Sequence, residues 1–198
     1  LVVIGGDGSF TGAKLLSDEQ GINVVGIPGT IDNDLAYTDY TLGFDTAVNT
    51  VLWAINALRD TMTSHDRVSL VKVMGRRCGD IALYAGICGG AEYILVPEVP
   101  YDIQKIANEI KHNRENGKTA NVIVLAEGAG NENEIKTIVS VISGTDVKVT
   151  TLGHIQRGGS PSMADRMLAA KFGVHAVNLL MEGKTNRVIG CHGQQTID

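Results

Sequence analysis

Two segments constrain the fold of this chain more than any others: Gly5-Gly6-Asp7-Gly8-Ser9 and Pro28-Gly29-Thr30-Ile31-Asp32-Asn33-Asp34. Each follows an apolar run of strand type, Leu1-Val2-Val3-Ile4 before the first and Ile22-Asn23-Val24-Val25-Gly26-Ile27 before the second. Phe10 to Gln20, between them, is long enough for a helix. Such a strand–helix–strand unit crosses over right-handed between parallel strands. Both loops then leave the same carboxyl edge of one sheet, where open α/β folds bind ligands. That edge carries a Gly-rich turn with one inward-leaning aspartate, Asp7, beside a turn with two more. Glycines let backbone N–H groups approach phosphate, and carboxylates hold a metal or take a proton. Together they point to phosphoryl transfer.

Apolar runs and amphipathic stretches alternate along the rest of the chain, as an α/β fold requires. Thr46 to Met62 places Val48, Val51, Leu52, Ile55 and Leu58 on one helical face. Val68–Met74, Tyr93–Val96, Val122–Leu125, Val147–Leu152 and Arg187–Cys191 read as strands. Helices are expected from the 75–80 loop to Ile87, from the cap Asp102 to about Asn116 with Gly117 closing it, and over Glu132–Ile142. Ser160-Pro161 is expected to open the longest helix, ending near Glu182. No repeat, low-complexity tract or linker separates domains, so any division must come from the chain crossing between two sheets.

The turn Gly6-Asp7-Gly8-Ser9-Phe10-Thr11-Gly12 has the glycine spacing of a dinucleotide-binding loop, which alone is a weak signal. Asp7 would repel a pyrophosphate, and the second strand ends in Gly26-Ile27-Pro28 with no acid to hold a ribose. A Mg²⁺ between Asp7 and a nucleotide phosphate makes sense of the aspartate, with a helix N-terminus at Ser9 supplying donors. The plain alternative is an Asp-Gly turn. Thr30, Asp32 and Asp34 alternate, so in an extended segment they would face the Asp7 loop together. A carboxylate there can take the proton of an attacking hydroxyl, whereas a purely structural turn is the competing explanation. Arg76, just past a strand end, is placed either to clamp a transferring phosphoryl group or to pair at the surface. In Leu152-Gly153-His154-Ile155-Gln156-Arg157-Gly158-Gly159-Ser160-Pro161, an imidazole, a guanidinium and a helix start make an anion-site layout. A structural histidine is the plain alternative.

As a set, GGDGS, PGTIDND, MGRRCGD, PEVP, EGAG and LGHIQRGGSP closely resemble the ATP-dependent 6-phosphofructokinases of bacterial type, over the whole chain and in the family's order. The resemblance implies two Rossmann-like three-layer α/β/α domains with the active cleft between them. Residues 1–43 with 156–198 would form the nucleotide side and 44–155 the sugar-phosphate side. It implies transfer of the γ-phosphate of ATP to the 1-hydroxyl of fructose 6-phosphate in glycolysis. Asp7 would bind Mg²⁺, with Gly6, Gly8, Ser9 and Gly12 around the ATP phosphates. Asp32 would be the base, assisted by Thr30, and Arg76 would stabilise the transferred group. Ile31, Met74, Gly75, Glu127, His154, Ile155, Gln156 and Arg157 would line the sugar phosphate site. Arg67 and Lys148 match positions that reach a neighbouring subunit's site, hence a homotetramer. Arg59, Gly90, Ala91, Glu92 and Lys118 match an effector site for ADP or phosphoenolpyruvate.

Departures accompany the match. The family's N-terminal Gly-rich loop and phosphate-binding arginine have no counterpart, so residues 1–198 are expected to be a piece lacking sequence at both ends and inactive alone. Lys148 stands where most members carry arginine, Asn116 where a lysine is usual, and Thr119 and Ala120 replace polar or basic neighbours. A pyrophosphate-dependent relative is the nearer alternative, but that branch carries Asp at the position of Gly8 and Lys at that of Gly29. A non-catalytic regulatory homologue is the other, against which Asp7, Asp32 and Arg76 speak. The net charge of −5 argues against nucleic acid or anionic membrane as partner. No apolar run approaches the ~20 residues of a membrane span. The three cysteines, irregularly spaced, fit reduced thiols in the cytoplasm.

Overall fold

The computed structural model describes residues 1–62, 67–118 and 120–198. The chain folds as two compact units, one from 1–46 with 160–198 and the other from 47–159. Both are α/β with parallel sheets.

In the first unit β1 (Val2–Gly5), β2 (Val25–Pro28) and β7 (Arg187–Val188) form a parallel sheet in the order β1-β2-β7. Helix α1 (Asp7–Gln20) makes the crossover from β1 to β2. Val25 and Ile27 of β2 turn to one face, against Phe172, Ala176 and Leu179 of α6 (Met163–Met181). Gly26 turns to the other, where a Cβ would stand 2.8 Å from the Phe10 ring of α1. The helices therefore cover both faces. The antiparallel pair β8 (Gly190–His192) and β9 (Gln195–Ile197) closes the unit. It is pinned to the 38–39 segment by Cys191 N donating to Thr38 Oγ1 at 2.9 Å and Gly193 N to Asp39 Oδ2 at 2.6 Å.

The second unit contains β3 (Arg67–Val73), β4 (Tyr93–Leu95), β5 (Asn121–Ala126) and β6 (Asp146–Thr151), all parallel, in the order β4-β5-β3-β6. Val68, Leu70, Ile123 and Leu125 pack against α4 (Ile103–Glu115) and α5 (Glu132–Ser143) through Ala107, Ile110, Ile135 and Val139. Successive strand residues alternate faces, so Val71, Val73, Val122 and Val124, all fully buried, serve the opposite layer. There α3 (Asp80–Cys88) packs on β4 and β5. Helix α2 (Phe44–Met62) buries Val51 and Ile55 completely, as its apolar periodicity requires.

The differences from the sequence reading lie at element ends. Helix α1 begins at Asp7 rather than after Ser9, so the Gly-rich turn is itself the first helical turn. Strand β2 begins at Val25, and Ile22 is exposed. Helix α6 begins after Ser162, whose Oγ accepts from Asp165 N at 3.2 Å. It ties with α2 at 19 residues instead of standing alone as the longest. Gly153–Arg157 is a short 3₁₀ helix, and the β8–β9 hairpin was not anticipated.

The start of α2 is built on Asp165, which is only 6% exposed. Its carboxylate accepts from Gly43 N and Thr46 N, each at 2.9 Å, and from Thr46 Oγ1. These are donors that a helix start leaves unpaired, and a carboxylate there also meets the favourable end of the helix dipole. Asp165→Ala strands both amides in the interior and should cost about 2–4 kcal/mol in urea denaturation. Asp165→Asn keeps one acceptor oxygen and should cost about half of that. An alanine variant as stable as the parent would remove Asp165 from this role.

Candidate active site

In the first unit, the carboxyl ends of β1 and β2 carry the two loops and bring them into contact. Gly29 N donates to Gly5 O at 2.9 Å, and a Cβ at Gly6 would stand 3.6 Å from Thr30 Cβ. Gly29 is held there by space, since its Cβ would meet Ile4 Cγ2 at 2.8 Å. Gly6 caps α1 without any side-chain partner, and Asp7 follows it, exposed rather than inward-leaning. Gly8 and Gly12 lie one turn apart on one helical face, and a Cβ at either would meet nothing within 4 Å. Ser9 folds back over Gly5, its Oγ within 2.3 Å of where a Cβ on Gly5 would sit. The result is a bare helix start beside a carboxylate.

The 30–34 segment is not extended. Asn33 takes a left-handed φ of +54°, which separates Asp32, 6% exposed, from Asp34, exposed. Asp34 therefore does not share the orientation of Asp32, contrary to the alternation expected. Side chains of Thr30, Asn33 and Thr41 fix the turn by bonding to main chain. Asp32 N donates to Thr30 Oγ1 at 3.2 Å, Thr41 Oγ1 to Thr30 O at 2.6 Å, and Thr41 N to Asn33 Oδ1 at 3.0 Å. Asn33 Nδ2 donates in turn to Asp39 O at 3.2 Å. Sequence reasoning passed over Asn33 and Thr41. An Asn flanked by two Asp is a frequent left-handed residue, and that was the available signal.

In the second unit, Arg76 stands in a left-handed conformation, φ +53°, just after Gly75 at φ +134°. Arg76 N donates to Glu127 Oε1 at 2.7 Å, and Glu127 N to Val73 O at 2.9 Å. The backbone is tightly enclosed. A Cβ on Gly128 would lie 2.2 Å from Arg76 O, and one on Gly75 2.4 Å from Cys78 O. Met74 N donates to Gln156 Oε1 at 3.2 Å, while Gln156 Nε2 donates to Gly153 O at 2.9 Å. Gln156 is 1% exposed, so its side chain braces the loop from within. His154, Ile155 and Arg157 are exposed on the same 3₁₀ helix. Met74, Gly75, Arg76, Glu127 and Gln156 are thus brought together.

Arg67 and Lys148 lie elsewhere in this unit, at the other end of the sheet. Arg67 opens β3, ~20 Å of strand away from its carboxyl end. Both cations meet Asp146 Oδ2, Lys148 Nζ at 3.0 Å and Arg67 Nε at 3.7 Å. The hydrogen bond from Lys148 holds the Asp146 carboxyl below its ordinary range. Arg59, Gly90, Glu92 and Lys118 form a third group. Glu92 accepts from Val122 N at 2.7 Å and pairs with Lys118 at 3.3 Å and Arg59 at 3.8 Å, while Arg59 Nη2 donates to Gly90 O. A cavity of about 320 Å³ is lined there by Arg59, Glu92, Ala120 and Val122 among others. Ala91 is half-buried beside Glu92, Asn116 ends α4, and Thr119 lies outside the described residues.

Among the described residues no three His, Cys, Asp or Glu side chains converge on a metal position. A single carboxylate at a bare helix start fits Mg²⁺ arriving with a phosphate ligand, because that ion keeps waters and uses one or two carboxylates. It does not fit a resident protein cage. Among the described residues no helix is long and apolar enough to cross a membrane.

Residues 1–180 match the phosphofructokinase family profile, and the chain belongs to that family. It is 61% identical over 198 residues to the ATP-dependent 6-phosphofructokinase of Clostridium tetani, and 59% identical to ATP-dependent 6-phosphofructokinase 1 of Clostridium perfringens. All of this chain is covered in both cases, but the chain spans only 62% of the length of those relatives. The phosphofructokinase structure from Saccharomyces cerevisiae superposes with a TM-score of 0.89 at 34% identity, covering 100% of this chain and 31% of that one. A pyrophosphate-dependent phosphofructokinase from Marinobacter aquaeolei superposes at 0.79 with 26% identity, over 98% of this chain and 55% of that one.

The loop beside Arg76 gives a chemical test of its packing. Burial pushes the Cys78 thiol up to about 11, with the nearby Asp80 and Glu98 carboxylates adding to it. A raised pKa keeps the thiol protonated at neutral pH, so its alkylation by iodoacetamide should rise about tenfold per pH unit from 7 to 10. Exposed Cys88 should react first. A Cys78 rate that levels off below pH 9 would contradict this packing.

Proposed function

We propose that the protein transfers the γ-phosphate of ATP to the 1-hydroxyl of fructose 6-phosphate. The observation that carries the reading is the bare, glycine-lined start of α1, with Asp7 exposed, joined by main chain to the turn holding a buried Asp32. The high identity to clostridial proteins named ATP-dependent 6-phosphofructokinase supports it.

In this reading Asp32 removes the proton of the sugar hydroxyl as it attacks, and its burial keeps water from competing. Thr30, which already orders the Asp32 backbone through its Oγ1, orients that carboxylate. Gly6, Gly8, Ser9 and Gly12 receive the donor phosphates against backbone N–H groups at the positive end of α1. Mg²⁺, held through Asp7, supplies charge neutralisation on those phosphates. Arg76 stabilises the charge on the group in flight. Ile31, Met74, Gly75, Glu127, His154, Ile155, Gln156 and Arg157 form the sugar phosphate side, with His154 and Arg157 in that loop gripping phosphate. The first unit serves the nucleotide and the second, which carries Gln156 and Arg157, the sugar phosphate.

The reading extends to assembly and control. Arg67 and Lys148, remote from Arg76 in their own unit, serve a neighbouring subunit in a cytoplasmic homotetramer. Arg59, Gly90, Ala91, Glu92 and Lys118 receive ADP or phosphoenolpyruvate, with Arg59 and Lys118 exchanging the Glu92 carboxylate for the ligand's phosphate.

Steady-state kinetics in the complete polypeptide test the core of this. Asp32→Asn keeps size and removes basicity, so kcat should fall about 10²–10⁴-fold with KM for fructose 6-phosphate changed far less. A variant with near-normal kcat excludes Asp32 as the base. The open space at Gly8 admits the nucleoside end of ATP, so pyrophosphate should not replace it. Equal turnover with both donors would overturn the choice of donor.

A further inference from the structure

The Pro97-Glu98-Val99-Pro100 turn has no part in the chemistry above, yet it reaches the loop that carries Arg76. It follows β4 and closes with Val99 N donating to Val96 O at 3.4 Å. Proline at both ends fixes two φ angles and restricts the residues before them, so Glu98 is offered from a stiff turn. Its Oε1 accepts from Gly79 N at 2.7 Å, the length of a charge-assisted hydrogen bond. Gly79 is the N-cap of α3, which has no capping side chain of its own. Glu98 supplies that cap from a different segment, at the end of the helix where a negative charge is favoured. The glycine answers to space rather than conformation, since φ is −87°. A Cβ there would lie 2.5 Å from Glu98 Oε2 and 2.5 Å from Val96 Cβ.

The Gly75–Gly79 loop is therefore gripped at two points by carboxylates from outside it. Glu127 holds Arg76 N near its start and Glu98 holds Gly79 N at its end, each at 2.7 Å. Between them Cys78 N donates to Gly75 O at 2.8 Å. Left-handed backbone at a non-glycine residue persists only where its surroundings over-determine it, and Arg76 is such a residue. We infer that Glu98 is a positioning residue for Arg76, fixing the far end of its loop through the Gly79 amide. This rests on the phosphoryl-transfer reading, in which Arg76 faces charge that develops in the transition state.

A double-mutant cycle in the complete polypeptide tests it, with fructose 6-phosphate and MgATP as substrates. Glu98→Ala should lower kcat about tenfold or more while KM for the sugar stays within about threefold, as for lost orientation of a transition-state group. Glu98→Gln, whose amide oxygen still accepts, should recover most of the rate. In an Arg76→Ala background Glu98→Ala should cost little further, because the two act as one unit. A parental kcat in Glu98→Ala, or the same fold-loss in both backgrounds, overturns the inference. Amide exchange reads the clamp without turnover: Arg76 to Gly79 should exchange faster in Glu98→Ala, and unchanged protection refutes it. A parent protein that transfers no phosphoryl group would instead overturn the functional reading, while the exchange result still decides whether Glu98 holds the loop.

Discussion

Where parallel strands end, the main chain of this protein approaches itself more closely than any side chain allows. Gly128 lies against the Arg76 carbonyl, Gly75 against that of Cys78, and Gly29 against the Ile4 side chain. A Cβ at any of these positions would fall between 2.2 and 2.8 Å from its neighbour, inside van der Waals contact. Arg76 and the Asp32 turn inherit their placement from that contact. Arg76 is aimed by a left-handed backbone that Gly75 and Gly128 leave room for, and the Asp32 turn is anchored through the Gly5–Gly29 approach. Position is set by backbone, and the side chains are left for chemistry.

A second device recurs beside the first. Carboxylates accept from backbone N–H groups at the starts of loops, strands and helices: buried Asp165 at the start of α2, half-buried Glu92 at Val122, and the exposed Glu98 at the start of α3 and Glu127 at Arg76. Hydrogen bonds to a charged acceptor contribute roughly twice what neutral ones do. They also join segments far apart in sequence. Gly43 and Asp165 are 122 residues apart, and Arg76 and Glu127 are 51. Exposed pairs such as Lys184–Glu182, at 2.9 Å, contribute little by comparison.

Much of this was legible in the residues. Apolar runs located seven of the strands, β1 to β7, and Asp102 and Gly117 marked the ends of α4 as capping chemistry dictates. The glycine-rich loops announced the sheet edge. What was not legible depended on partners distant in sequence. Nothing near Asp165 or Glu98 says that their acceptors serve Gly43 or Gly79. Asp7 is exposed rather than inward-leaning because α1 already starts there, and Asp34 parts from Asp32 because Asn33 turns the chain out of the extended form. Gln156, read as a ligand residue, spends both ends of its amide on the protein's own backbone.

Close glycine packing fixes the Arg76 backbone, and amide hydrogen exchange in Gly128→Ala is the direct test of it. The added methyl carbon cannot share space with the Arg76 carbonyl, so the loop must move and the bond from Arg76 N to Glu127 must break. Exchange at Arg76 should rise by at least about tenfold, while Leu70 and Val71 in the centre of β3 keep their protection. An Arg76 amide that remains as protected as in the parent would contradict the claim.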